Sequence, residues 1–424
     1  MKRIDYKWWL LMLMFAVSFI EQGTRQIYFV MLPQIKADFA QLGIGAAGFG
    51  SVGTVFTAVF GVSILFAGVL TDFVSRKWVI IVGTFLFSAA IFGAGFAQGM
   101  GLLILTYGII NAFGQCCVPP SSFSLLCQHH VETRARALSI YQTSTYFGII
   151  ICCFASGWLG GLGRGAWRWA FWLFGGIGML WALFMVLSLR DTPQSASVAG
   201  SKVTLGEALT VVVKRPTSML LALAFGMYVY AYMGFGMWIP MYLHGRFPDL
   251  DSASVAFHSV FWLYAGALAG VLTGARISDR IVSVRPAVRL EIDICGLLAC
   301  AACVFAAMRC GRLPFACASL AAYGFSRGVF DSNYYPAMFD VIVPRFRAAA
   351  TGITGCFAFL FGASAPMVLG WMGEWLSLGA GIASLSVFYV AGAVVLLVAR
   401  RFTFARDRIP LSEQTQLNAS PPRK

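Results

Sequence analysis

Gly68-Val-Leu-Thr-Asp-Phe-Val-Ser-Arg-Lys77 is a short polar hinge between two long apolar segments, and a looser copy, Gly274-Ala-Arg-Ile-Ser-Asp-Arg280, returns in the second half of this 424-residue chain. Asp72 and Asp279 hold the same place in the two copies. A second pair keeps nearly the same offset: Arg134-Ala-Arg-Ala-Leu138 and Arg345-Phe-Arg-Ala-Ala349 each open an apolar segment. Two polar signals recurring at one period, each set between apolar runs, describe a duplicated membrane unit.

Composition agrees. With 59% hydrophobic and 11% charged residues, most of the chain must meet lipid or other apolar helices. A spanning helix takes about twenty apolar residues, because the hydrocarbon core is roughly 30 Å thick. Helices satisfy their own backbone there, where no water is available to do so. Spans are expected at 8–32, 46–70, 78–97, 102–127, 137–161 and 167–189, and again at 218–243, 257–274, 292–308, 314–338, 348–372 and 378–399. The chain thus divides into an N-terminal six-helix bundle (1–189), a polar cytoplasmic linker (190–216), a C-terminal six-helix bundle (217–400) and a polar, basic, disordered tail (401–424). Lys2 and Arg3 ahead of an apolar run imitate a secretory leader, but no small-residue cleavage site closes the run, which reads as an uncleaved first span.

The net charge of +14 could indicate nucleic acid, but most of the 31 Lys and Arg fall in loops on the side of the N-terminus. That asymmetry orients both termini towards the cytoplasm, beside anionic lipid headgroups, and leaves no nucleic-acid role. The eleven cysteines are odd in number and lie mostly in spans without paired CxxC spacing, so they read as small packing residues. His129 and His130 read as loop residues beside Glu132, since neighbouring rings cannot share a helical face and no ligand set accompanies them. Neither a metal nor a cofactor is expected.

Six plus six spans, the connector and the repeated Asp hinge resemble the major facilitator superfamily of secondary transporters. The first hinge keeps that family's signature at Gly68, Asp72, Arg76 and Lys77; the second keeps Asp279 and Arg280 and is degraded beyond them. The resemblance implies an all-α membrane protein of twelve helices, two halves related by a pseudo-two-fold axis, with these residues as a cytoplasmic gate. An Asp at a helix end beside Arg and Lys makes a charge cluster that can break and reform as two halves rock. Three stretches are similar to the branch of anion:cation symporters that carry sugar acids: Thr24-Arg25 with Pro33 and Asp38, Trp167-Arg-Trp-Ala-Phe171, and Asn333 with Asp340-Val-Ile-Val-Pro344.

Charge inside a span costs roughly 2.5 to 3.5 kcal/mol per residue on insertion scales, so each such residue needs a reason. Glu21 with Arg25 and Arg327 with Asp331 stand four apart, which puts both partners of each pair on one helix face. The resemblance places spans one, four, seven and ten beside a central cavity. The four charges sum to zero, so an empty carrier could reorient without net charge in its core. Protonating an acid would free a guanidinium for a carboxylate or phosphate, which is proton and anion symport. Thr24 and Gln115 stand where proton-driven members of the branch often have Asp and Glu, leaving Glu21 and Asp331 as coupling acids; Na⁺ on Asp331 with Ser332 or Asn333 is the other possibility.

Asn111 and Gln115, Gln142 and Tyr146, and Tyr228, Tyr232, Tyr264 and Asn333 complete a candidate pocket of amides and aromatic walls suited to a hydroxylated anion. The leading expectation is a bacterial inner-membrane importer of a small organic anion such as a sugar acid, coupled to H⁺ or Na⁺ and sufficient as a monomer. The alternatives are an exporter of drugs or metabolites and a sugar-phosphate/phosphate exchanger. Span five lacks the Gly-Pro element usual in exporters, and no Ser/Lys, Asp/Asp or metal-ligand constellation supports an enzyme.

Overall fold

The computed structural model describes residues 5–130, 132–190, 205–282 and 284–409; the side chains at 68–73, 135 and 205 lie outside that description. Of the expected tail at 401–424, residues up to Asp407 continue the last helix and those from 410 lie outside the description, as does most of the expected linker.

Twelve long helices follow one another: α1 Tyr6–Asp38, α2 Ala46–Phe73, α3 Arg76–Ala94, α4 Met100–His129, α5 Arg134–Gly160, α6 Trp167–Ser188, α7 Pro216–Arg246, α8 Ser252–Ile281, α9 Val288–Arg309, α10 Leu313–Phe339, α11 Pro344–Trp375 and α12 Leu378–Asp407. Ten are long and apolar enough to cross a membrane. The other two, α1 and α10, have the length but carry the Glu21/Arg25 and Arg327/Asp331 pairs. The fold is therefore the all-α, twelve-helix membrane architecture read from the sequence. A short helix, Leu205–Lys214, lies in the connector and buries Ala208 and Val212, four apart, on one face.

Three helices depart from regular geometry: α12 through π-turns at Ala399–Thr403, and two others for local reasons. Within α4, Ile104–Ile110 forms widened π-turns immediately before Asn111, a device often found at functional sites. Within α11 the helix breaks between Gly362 and Ala365, where Pro366 cannot donate to the carbonyl four residues back.

The chain forms two compact units, Met1–Pro193 with Phe235–Phe261 and Ala363–Leu378, and Gln194–Gly234 with Trp262–Gly362 and Gly379–Lys424. In the first unit, Leu10, Met14, Val17 and Ile20 of α1 build an apolar core with Ile80 and Phe87 of α3, Val118 and Leu125 of α4, and Tyr141 of α5. The ends of α7, α8 and α11 belong to this unit. Trp238 donates from Nε1 to the Pro366 carbonyl (2.8 Å), Met367 N–H donates to Thr54 Oγ1 (3.3 Å), and Glu374 Oε1 accepts from Ala47 N–H (3.1 Å) in the first turn of α2. A carboxylate there meets both an orphan helix donor and the positive end of the helix dipole.

In the second unit, α8 and α10 meet through small residues. A Cβ on Gly266 or Gly270 would strike the Ala321 or Phe325 carbonyl, and one on Gly324 or Gly328 the Leu263 or Ala267 carbonyl. These are two small-xxx-small motifs interlocked, the arrangement that lets membrane helices approach backbone to backbone. It fixes the height and rotation of α10 beside Arg327.

Candidate functional site

In the first unit, Arg25 is the centre of a buried polar chain. Its Nη2 donates to Glu21 Oε1 (3.1 Å) and its Nε to Gln115 Oε1 (2.8 Å). Gln115 Nε2 donates to Asn111 Oδ1 (2.9 Å), and Asn111 Nδ2 donates to the Tyr107 carbonyl (3.3 Å). Tyr107 closes the loop by donating from its hydroxyl to the Arg25 carbonyl. The face of the guanidinium lies over Phe60, 4.7 Å from the ring centre. Glu21 is fully buried, and its Oε2 has no hydrogen-bond partner. Four expected residues, Glu21, Arg25, Asn111 and Gln115, are thus brought together.

Gln142 is exposed on α5, and Tyr146 one turn further on is half-buried. Tyr107, which sequence reasoning missed, sits inside the π-turns, where ordinary helical spacing gives no guide to direction.

The second unit holds a differently built pair. Arg327 Nε lies 3.3 Å from Asp331 Oδ2 and donates to the Tyr228 hydroxyl (3.1 Å), while that hydroxyl donates to Asp331 Oδ1 (2.6 Å). Arg327 stacks over Tyr232 at 3.9 Å and lies 5.4 Å from the ring centre of Tyr264; the two phenol oxygens are 3.4 Å apart. Its Nη1 is buried without a hydrogen-bond partner. Arg327, Asp331, Tyr228, Tyr232 and Tyr264 therefore form one cluster, with the Asp331 side chain 34% exposed. Asn333 points elsewhere: its Nδ2 donates to the Val329 carbonyl (3.0 Å) and to Ser332 Oγ (3.0 Å) on its own helix. Asp331 is turned to Arg327 and Tyr228, Ser332 donates to the Val329 carbonyl (2.9 Å), and the Asn333 Oδ1 is buried without a hydrogen-bond partner.

The hinge residues are placed unevenly. Gly68 and Asp72 lie in α2, but their side-chain surroundings fall outside the described residues. Arg76 has a buried Nε without a partner, and Lys77 lies 5.8 Å from the Trp78 ring centre. In the second copy Asp279 is exposed and 3.9 Å from Arg289, which also holds Asp340 at 2.7 Å; Arg280 is exposed. Burial pushes the Asp340 carboxyl up from its ordinary range, with Arg289 acting against the rise. Asp38 binds Arg168 (2.5 Å) and the Trp167 indole (3.2 Å), which joins two stretches that sequence resemblance had singled out separately.

His129 corrects its reading as a loop residue, whereas His130 lies just past the helix end, as read. His129 is the last residue of α4, and His130 is buried between the Lys7 carbonyl (2.8 Å) and Thr133 Oγ1 (2.9 Å), edge-on to Trp8. It pins the start of α1, a role that only the long-range contact could reveal. Among the described residues no group of three His, Cys, Asp or Glu could hold a metal ion.

A family model described as Major Facilitator Superfamily matches residues 14–292. Protein spinster homolog 1 of Homo sapiens is 26% identical over 372 residues, covering 80% of this chain and 68% of its own length. A probable hexose phosphate transport protein of Chlamydia muridarum is 24% identical over 45% of this chain and 41% of its own. The probable galactarate/D-glucarate transporter GudP of Escherichia coli K12 is 22% identical over 46% of this chain and 44% of its own. Among solved structures, a bacterial homolog of the human lysosomal transporter Spinster, inward-facing and unoccupied, superposes with a TM-score of 0.84 at 20% identity, covering 96% of this chain and 99% of that one.

Proposed function

We infer, from the premise that this chain belongs to the Major Facilitator Superfamily, that it is a secondary transporter importing a small organic anion by proton symport through alternating access. The observation that carries the anion is Arg327: a guanidinium embedded in a spanning helix, walled by two tyrosine faces, with a buried Nη1 that has no partner. A planar donor with an unused N–H is suited to a carboxylate, and the tyrosines suit the hydroxylated body of a sugar acid. Arg25 offers a second guanidinium, bordered by the amides of Gln115 and Asn111. GudP, a relative named for galactarate and glucarate, supports that ligand class.

Glu21 supports the proton. Its carboxyl is fully buried with one oxygen unpartnered, so the neutral acid is tolerated there, and taking up a proton would loosen its hold on Arg25. Both termini face the cytoplasm on this reading, in a bacterial inner membrane, and the residues from Gly68 to Lys77 with Asp279 and Arg280 act as the gate on that side.

Thermal shift of the purified protein against sugar acids, sugar phosphates and amino acids, at acidic and neutral pH and with or without Na⁺, tests the reading, since a ligand that binds only the folded state raises its stability. Stabilisation by sugar acids that is lost in Arg25→Ala or Arg327→Ala is the expected result. Stabilisation by neutral or cationic compounds, equal in wild type and variants, would overturn it. A preference for sugar phosphates would favour an exchanger, the reading that the chlamydial relative supports.

A further inference from the structure

Asp293 on α9 has no place in the scheme above. It is fully buried, and among the described residues it is the only acid whose two carboxyl oxygens are both buried without a hydrogen-bond partner. One turn further on, Gly296 lies against Ser326 and Phe330 of α10, so Asp293 faces the following turn of that helix. There Asp331 and Tyr334 are the ionisable groups within electrostatic reach, and the Tyr334 hydroxyl is itself buried without a hydrogen-bond partner.

Among the described residues no cation is left to neutralise Asp293. On its own helix, Arg289 is held by Asp340 (2.7 Å) and Asp279 (3.9 Å), while Glu291 is taken by Arg400 of α12 at 2.7 Å. On α10, Arg327 is engaged with Asp331 and Tyr228. Where α12 packs on α9, the contacts are Ser386 with the Ala301 carbonyl and Gly392 with Leu297. An ionised carboxylate with neither oxygen paired cannot persist in such a place, whereas a protonated one can.

We propose that Asp293 is a proton-binding site: its carboxyl holds a proton in the conformation seen here and exchanges it with water when the packing of α9 on α10 opens. The O–H bond breaks, the proton passes to water, and the carboxylate is solvated for as long as that opening lasts. This proposal rests on the proton-symport reading only in calling the bound proton a transported one.

Infrared spectroscopy of the full-length protein in lipid tests it without requiring any substrate. Labelling with ¹³C-aspartate separates aspartic from glutamic carboxyl bands in the wild type, and Asp293→Asn identifies the band. The expected result is a protonated-carboxyl C=O band that moves with the label, disappears in Asp293→Asn, shifts in D₂O and is lost reversibly at alkaline pH. Absence of a protonated aspartic band in the labelled wild type would overturn the proposal even if the variant failed to fold. So would a band that never shifts in D₂O, which would mark a sealed structural acid. Either result leaves anion transport standing, and failure of every anion to be driven by a pH gradient would leave the exchanging band standing.

Discussion

Glu21–Arg25 and Arg327–Asp331 share a four-residue spacing on their helices and almost nothing else. In the first pair the acid precedes the Arg and is sealed, with its side chain 1% exposed and one oxygen unpartnered, while the Arg is bordered by amides. In the second the Arg precedes the acid, the acid is one-third exposed, both its oxygens are engaged, and the Arg is bordered by phenol rings. One spacing thus yields a strained acid beside a satisfied Arg, and a satisfied acid beside an Arg with an unused N–H. On the proposed reading, that difference divides the work, with proton uptake falling to the first pair and the main anion contact to the second.

The largest effect should come from breaking each pair on its Arg side. Arg25→Ala leaves Glu21 sealed without a cation, with only the Gln22 amide on its Oε1 (3.2 Å), and removing one partner of a buried pair typically costs about 3–5 kcal/mol unless the survivor neutralises. Thermal unfolding should therefore fall steeply in this variant at alkaline pH and recover as Glu21 takes up a proton on acidification. Arg327→Ala leaves an acid that water can reach, so its stability should change less while anion binding is lost. Equal destabilisation of the two variants, with the same pH profile, would erase the distinction.

Next in size is an exchange of amide for acid. Gln115 Oε1 accepts from Arg25 Nε, so Gln115→Glu would place a second carboxylate on the same guanidinium. Arg25 would then be doubly neutralised and weaker towards an anion, by about tenfold if one charge-assisted hydrogen bond is at stake. Binding should recover on acidification, with a steeper pH dependence than in wild type. The reverse change, Glu21→Gln, should flatten the pH dependence and leave binding at neutral pH largely intact. Anion-binding titrations across pH read both; a wild-type profile in either variant counts against Glu21 as the coupling acid.

These comparisons show where sequence reading reached and where it stopped. The charge pairs, the twelve helices and the partners Asn111 and Gln115 were legible because membrane burial makes charge and amide residues conspicuous against apolar helical spacing. Tyr107 was not, because the π-turns at Ile104–Ile110 shift the helical register that spacing arguments assume. The direction of the Asn333 amide, whose Nδ2 bonds back to its own helix, was not legible either, because spacing does not say which acceptor a side chain takes. Asp293 was passed over because the expected span opened at 292 and left it at the edge, beside Arg289 four residues earlier; that Arg289 turns instead to Asp340 and Asp279, leaving Asp293 without a partner, is visible only in the packed structure. The interlocked glycines of α8 and α10 could have been read, since Gly266/Gly270 and Gly324/Gly328 both show the small-xxx-small spacing.

The smallest effect sharpens the second pair. The Tyr228 hydroxyl accepts from Arg327 and donates to Asp331, so it holds the two in register without carrying charge. Tyr228→Phe keeps the ring stacked on Phe330 and Phe225 and removes only the bridge. Two hydrogen bonds go with the hydroxyl, each worth about 1 kcal/mol net, so stability should fall by about 2 kcal/mol at most. Binding tells more than stability here. If Tyr228 merely braces the pair, freeing Arg327 should leave anion affinity unchanged or raise it, as one competitor for the guanidinium is gone. If instead affinity falls as far as in Arg327→Ala, the phenol itself is part of the anion site, and the two pairs differ by more than the accessibility of their acids.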